Sequence, residues 1–397
     1  MSNEEYILQH RQDDVRNLAL KKGPEGVDMV WCLQQIEGWQ LAQKKLPRWA
    51  AAEGTLWFPP RLSMEQCSSE STALYKQQLV DRLLPTDERG RLMDLTGGFG
   101  IDFSYIAPLF REATYVEKQE ILCDIARHNL PLLGLSHAKV MQADSTEVCC
   151  DADLVFMDPA RRDTAGRKTV AIEDCTPNVV GMQEKLLACA RYLIIKLSPM
   201  LDITQALQAL RGVVEVHVVS VKGECKELLL VMAAARQEDG NRPRFCCANL
   251  ETDDCTLECT HQERQTTPVI CQRKLEELTG YLFEPNASIL KAGCQDMLCE
   301  RYGLEKLHPC SNLFLGSKPI EGFPGRQFSI DMASDFSKKG LKAILSGASQ
   351  GNLTTRNFPT SVAELRKKLK LREGGDLYFF ATTLSNGTHA LLRCTKA

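Results

Sequence analysis

Apolar positions change their period part-way along this chain. Up to about residue 56 they recur every three to four residues, at Tyr6, Ile7, Val15, Leu18 and Leu20 and again at Val30, Leu33, Ile36, Trp39 and Leu41. That spacing predicts amphipathic helices on either side of the Gly23-Pro24 break. Trp57-Phe58-Pro59-Pro60 interrupts the pattern, and residues 65–84 read as a further helix entered through the polar run 66–70. From residue 91 to about 235, short apolar runs at 92–95, 113–116, 138–141, 154–157, 192–197, 213–221 and 228–233 alternate with helical stretches. Such alternation predicts an α/β unit in which a parallel sheet carries helices on both faces. Residues 236 to about 280 are charged, with little periodicity beyond a helix near 272–278, and read as a linker or a peripheral strand pair. Beyond them, helices are expected at 288–301 and 362–369 and strands at 377–382 and 390–394, a small α+β appendage.

Composition narrows the class. With 397 residues, 44% hydrophobic and 25% charged, the chain can bury more than one core and fits neither disorder nor a fibrous repeat. Its 48 basic and 51 acidic residues leave a net charge of −3, which excludes a uniformly basic nucleic-acid coat but leaves room for a local basic face. A polar amino terminus, and no run of about 18 apolar residues, predict a cytoplasmic protein without export signal or membrane span. The 17 cysteines are accordingly read as reduced thiols. Cys246, Cys247, Cys255, Cys259, His261 and Cys271 form the densest group, yet lack the paired two-residue spacing with which thiolates grip zinc, so no metal is expected.

Candidate chemistry gathers where the first four predicted strands end. Met93-Asp94-Leu95-Thr96-Gly97-Gly98-Phe99-Gly100 runs a strand into a glycine turn that opens a helix at Ile101. The glycines let backbone approach a ligand closely, and the helix start offers free N–H groups. The turn lacks both the G-x-G-x-x-G of dinucleotide sites and the Lys-Ser/Thr of phosphate-cradling loops. Glu117, ending the second strand, is placed to accept hydrogen bonds from both hydroxyls of a ribose, and Asp144, ending the third, from an adenine amine. Three acids around a glycine turn describe an adenosine site; singly, each would read as a helix cap. The fourth strand ends in Met157-Asp158-Pro159-Ala160-Arg161, where the Asp158 carboxylate and the Pro159 carbonyl can accept hydrogen bonds from a substrate amine. Arg161 and Arg162 suit a phosphate or a stacked base, or else pair with Asp163 or Glu173. Lys196 and Ser198 end the fifth strand at the same edge, either approaching an acceptor or merely terminating the strand. His128 reads as a surface or capping residue and His217 as a strand residue, while Trp57, Phe58 and Pro59 either wall the pocket or pack the helices.

This order of motifs resembles the class I S-adenosylmethionine-dependent methyltransferases, and more narrowly the bacterial group with a THUMP-like carboxyl-terminal domain. The narrower likeness rests on Leu62-Ser63-Met64-Glu65-Gln66-Cys67-Ser68-Ser69-Glu70 with Tyr75-Lys76, on Tyr281-Leu282-Phe283-Glu284-Pro285-Asn286-Ala287, and on Arg356-Asn357-Phe358-Pro359 with Leu365-Arg366-Lys367-Lys368-Leu369. It implies a Rossmann-like core at 61–235, preceded by a helical region at 1–60. A peripheral segment at 236–277, a ferredoxin-like segment at 278–321 and a THUMP-like domain at 322–397 would follow. It also implies S-adenosylmethionine as cofactor, its methionine part held by the turn carrying Asp94, Thr96, Gly97, Gly98 and Gly100, its ribose by Glu117 and its adenine by Asp144. Gln66 and Ser69 would belong to a segment closing over cofactor or acceptor. Asp158, Pro159 and Arg161 are then the catalytic candidates for methyl transfer to nitrogen, acting chiefly by orienting the lone pair.

Enzymes of that kind acting on nucleic acids usually continue the fourth-strand motif with a second proline and an aromatic that stacks on the flipped base. Ala160 and Arg161 depart from this and leave the acceptor open. Structured RNA is the expected partner, by analogy with THUMP domains. Lys338, Lys339, Lys342, Arg356, Arg366, Lys367, Lys368, Lys370 and Arg372, beside Phe358 and Tyr378, agree with it by making the carboxyl-terminal stretch the most basic. A small-molecule or protein acceptor, and a non-catalytic RNA-binding protein retaining the cofactor, are the alternatives.

Overall fold

Each apolar run between 91 and 233 folds as a strand in the computed structural model, which describes residues 1–160, 172–236, 242–252 and 255–397. Arg161, Arg162 and Asp163 lie outside the described residues. The chain divides into two units, residues 1–216 with 226–242 and residues 217–225 with 243–397.

The first unit opens with helices α1 (Asn3–His10), α2 (Val15–Ala19), α3 (Met29–Lys45) and α4 (Pro47–Ala50), followed by α5 (Arg61–Gln66) and α6 (Glu70–Leu83). The α/β part then runs β1 (Arg91–Asp94), α7 (Ile101–Ile106), β2 (Glu112–Glu117), α8 (Glu120–Leu132), β3 (Ala138–Gln142) and β4 (Ala152–Met157). It continues with α9 (Val179–Cys189), β5 (Ala190–Leu197) and α10 (Ile203–Ala209), then with β6 (Val213–Val221) and β7 (Glu224–Ala233), of which residues 217–225 belong to the second unit. Strands β3, β2, β1, β4 and β5 lie side by side in that order and are parallel. Strand order reverses between β1 and β4, and the crevice at their carboxyl ends is where open α/β sheets take ligands. The expected parallel sheet gains an antiparallel neighbour at β7, which pairs with β5, Tyr192 opposite Ala233. A parallel neighbour would need a helical crossover, which the short step from β6 to β7 cannot provide.

The expected helix at 65–84 is two helices. Ser69 caps α6 by accepting the Thr72 N–H, while Cys67 is extended and ends α5, so the polar run 66–70 is a bend rather than a helical entry. That bend turns Ser68 inward, where it is 5% exposed. The amino-terminal helices pack on the glycine turn through Leu46, Trp49, Phe58 and Met64 against Phe99, Ile101 and Tyr105. Trp57 instead stacks on His128, ring centroids 4.0 Å apart, and the Nε2 of His128 meets the Thr55 carbonyl at 2.8 Å.

In the second unit, β8 (Arg244–Leu250) and β9 (Cys255–Cys259) form an antiparallel pair. A seven-stranded sheet follows, built from β10 (Tyr281–Pro285), β11 (Glu305–Lys306), β12 (Phe314–Gly316), β13 (Gly325–Ser334), β14 (Asn352–Arg356), β15 (Leu377–Thr383) and β16 (His389–Lys396). Its order is β11-β12-β10-β13-β16-β15-β14, and of its pairs only β14 with β15 is parallel. The single helix expected at 288–301 is α11 (Ala287–Ala292) and α12 (Met297–Tyr302), because Gly293 takes φ +71° and closes the first. Near 272–278 only a one-turn helix at Leu275–Glu277 forms. Helices α13 (Lys338–Ile344) and α14 (Val362–Leu369) complete the unit; α14 has a capping box between Ser361 and Glu364.

Candidate active site

The turn after β1 is shaped by its glycines. Gly98 and Gly100 have φ of +55° and +84°, which suit glycine, and a Cβ on Gly97 would stand 2.2 Å from the buried Tyr115 ring. Tyr115 locks the turn by donating its hydroxyl to the Gly98 carbonyl. Thr96 joins the turn to the fourth strand: its amide donates to Asp94 Oδ1 at 3.0 Å and its Oγ1 accepts the Asp158 N–H. The cleft so formed is lined by Asp94, Thr96 and Gly97 to Gly100 on one side and by Phe156, Asp158 and Lys196 on another. Ser63, Gln66, Cys67 and Ser68 of the α5–α6 bend form part of its lining.

Beneath the cleft lies a buried ionic network. Lys76, 0% exposed on the inner face of α6, meets Asp102 Oδ1 at 3.0 Å and Glu227 Oε2 at 2.5 Å. Lys196 reaches Asp158 Oδ2 at 2.7 Å and Asp102 Oδ2 at 3.3 Å. Ser68 Oγ donates to Asp102 Oδ2 at 2.8 Å and accepts from both lysines. An ammonium without water is tolerated only with such partners. Burial disfavours the charged Lys196, but Asp158, Asp102 and Glu227 outweigh it and hold its pKa well above the ordinary lysine value. Burial likewise disfavours the Asp102 carboxylate, and Lys76 and Lys196 with the Ser68 hydroxyl still hold it below the usual range. The network has one more carboxylate than ammonium, and the odd one, Asp158, faces the cleft with its side chain 41% exposed. The surrounding protein pushes its carboxyl up while Lys196 opposes the shift. Among the described residues the hydrogen bond to the Asp158 side chain is the one that Lys196 donates to Oδ2. Asp94 is pushed well above the carboxylate range by burial, against the Thr96 N–H, and neighbouring acids add to the rise.

The structure distributes the other sequence-predicted residues unevenly. Glu117 ends β2 beside the turn and accepts from the Gly98 amide at 3.0 Å and the Gln119 amide at 2.8 Å; Gln119, not Glu117, lines the cleft. Asp144 lies outside the lining. Its Oδ1 caps a turn at Thr146 and its Oδ2 meets Lys118 at 2.9 Å, and hydrogen bonds from Lys118 and then Thr146 lower its pKa to about 2. Ser69 also lies outside, as the α6 cap, and Ser68 holds the position expected of it. Pro159 is buried behind Asp158 and Ser198 caps a turn at Met200, both away from the lining. Asp102, Glu227 and the inward Lys76 were not singled out for a role. Lys76 had a signal: it continues the buried stripe of Thr72, Ala73, Leu79 and Val80, where a lysine needs a partner.

Comparison with known proteins then identifies relatives. Residues 281–324 match the model of a ferredoxin-like domain and residues 325–396 that of a THUMP domain-like family. A crystal structure from Porphyromonas gingivalis W83, assigned as a methyltransferase, is 32% identical with a TM-score of 0.86, covering 100% of this chain and 97% of that one. The 16S rRNA N2 methyltransferase of T. thermophilus, solved with AdoMet and guanosine, is 15% identical over 41% of this chain and 42% of its own, TM-score 0.32. The tRNA (uracil-54, C5)-methyltransferase of Pyrococcus abyssi, solved with S-adenosyl-L-homocysteine, is 17% identical over 42% of this chain and 39% of its own, TM-score 0.32. No curated protein matches the chain.

Proposed function

Because the chain belongs to the class I S-adenosylmethionine-dependent methyltransferases with a THUMP-like carboxyl-terminal domain, we propose that it methylates a nitrogen of structured RNA at Asp158. The cleft suits the cofactor's chemistry. Its glycine turn lines the cleft with backbone free of side chains at Gly97, Gly98 and Gly100, and the carboxylate that its ionic network holds in excess suits a ligand bearing an ammonium and a sulfonium. Asp94, Thr96, Gly97, Gly98 and Gly100 would hold the methionine part, and Gln66 and Gln119 would border it. Glu117, through its grip on the Gly98 amide, would shape the turn while accepting from the ribose; Asp144 would reach the adenine only from outside the present lining. S-adenosylmethionine supplies an electrophilic methyl group on a sulfonium sulfur.

The observation that carries the reading is the Asp158 carboxylate in the cleft lining, paired with Lys196 at 2.7 Å while the Asp158 N–H donates to Thr96 Oγ1. Oδ1 accepts an N–H of the acceptor and so turns the nitrogen lone pair toward the methyl group. Most of the rate then comes from alignment. The proton that nitrogen loses on methylation leaves through Asp158 to water at the cleft mouth. Lys196 is a positioning residue: it fixes the carboxylate by pairing with its Oδ2. Nucleoside mass spectrometry of RNA from cells with and without the gene tests the reading. A base methylated on nitrogen should be missing in the deletion; loss of a methyl from carbon or from ribose oxygen would contradict it.

A further inference from the structure

A second cleft, of about 760 Å³, lies wholly within the second unit. Glu284, on β10, lies against it with its side chain 5% exposed. Arg326, from the start of β13, donates to Glu284 Oε2 through Nε at 3.0 Å and through Nη2. Arg356, the last residue of β14, approaches Oε1 with Nη2 at 2.7 Å. A buried carboxylate needs a counter-charge, and one guanidinium fork supplies it. The second is therefore in excess. The two arginine side chains are 49% and 39% exposed, and their guanidiniums between them hold more N–H donors than Glu284 can accept. Gly325 makes the arrangement possible, since a Cβ there would stand 2.3 Å from the Glu284 carbonyl oxygen and hold β13 off β10. Two exposed lysines line the same cleft: Lys222, which meets Glu251 at 3.2 Å, and Lys396, which has no ion pair among the described residues.

We infer that this cleft binds a phosphate of the RNA, with Arg326 and Arg356 as the donor forks and Lys222 and Lys396 as flanking charges. The inference rests on the RNA reading above and adds to it a named site in the second unit. Glu284 is a positioning residue. It holds both guanidiniums in place before the ligand arrives, so little side-chain freedom is lost on binding.

The test uses the full-length protein and a fluorescent RNA hairpin with a single-stranded tail, followed by anisotropy over a salt series. One variant, Lys222→Glu with Lys396→Glu, leaves the Glu284 pairing intact. Another, Arg356→Lys, keeps the charge but removes the fork. The double variant should weaken binding and lower the salt slope by roughly 0.7 for each single-strand phosphate lost. Arg356→Lys should weaken binding several-fold with the slope unchanged. Thermal unfolding should match the parent in both. A tail ending in 3′ phosphate that binds better than one ending in hydroxyl assigns a terminal phosphate; equal binding assigns an internal one. If the parent binds RNA and both variants bind equally well with the same slope, the cleft is not a phosphate site. If the parent binds no RNA, the RNA reading falls and this inference with it.

Discussion

Lys196 and Asp94 carry opposite electrostatic burdens, and substitutions should separate them. Lys196→Met leaves Asp158 without its partner and Asp102 with only one of two; breaking such a buried pair costs about 3–5 kcal/mol, a loss that urea unfolding would register. If kcat also falls while S-adenosylmethionine binds as before, Lys196 acts by positioning Asp158; unaltered kcat would refute that role. Asp94→Asn should do the reverse, stabilising the free protein while weakening cofactor binding. The raised Asp94 pKa means that the folded state holds this proton more tightly than the unfolded one, so its contribution to stability declines as pH rises from about 4 toward the folded value. The unfolding temperature of the variant should therefore equal that of the parent near pH 3 and exceed it increasingly as pH rises; a constant offset would exclude the titration. Asp102 has the opposite sign. Its lowered pKa contributes stability that is complete above the unfolded value of about 3.9 and lost as pH falls through the folded one. The acids at the strand ends were legible because a strand followed by a glycine turn specifies an edge. Asp102 and Glu227 were not, because their meaning depends on Lys76 and Lys196, which only the fold brings near.

The glycine turn is the element on which the cleft depends. Gly97→Ala must displace either the turn or the buried Tyr115 ring, and overpacking of this kind costs roughly 1–3 kcal/mol. Its main effect should fall on the ligand: calorimetry should find S-adenosylmethionine binding lost or severely weakened in a protein that still unfolds cooperatively, and parental affinity would show that the turn tolerates a side chain. Period identified all seven strands of the α/β stretch, because buried parallel strands are near-continuous apolar runs. Breaks were harder to read. The bend at 67–69 occurs inside a stretch of helical periodicity, and the end of α11 depends on Gly293 adopting a left-handed conformation. Periodicity records which face is buried; it does not record where a cap wins over continuation. The antiparallel β7 escaped for a related reason, since strand direction follows from the length of the connection rather than from the apolar run.

For the molecule as a whole, net charge hides the relevant distribution. A chain at −3 holds a cluster with one carboxylate in excess in the first unit and an arginine pair around one carboxylate in the second, and whole-chain arithmetic averages the two. Both fit the division of labour proposed here: a carboxylate-rich cleft for a cationic cofactor and a basic one for a polyanion. No helix among the described residues is long and apolar enough to cross a membrane. Methyl transfer to RNA at Asp158 is tested by following labelled methyl from S-adenosylmethionine into total RNA of a strain lacking the gene, comparing parent protein with Asp158→Ala. Label should enter RNA with the parent and fall at least about a hundredfold with the variant, which should still bind the cofactor calorimetrically. Equal labelling by the variant, or label in protein or metabolites and none in RNA, would contradict it.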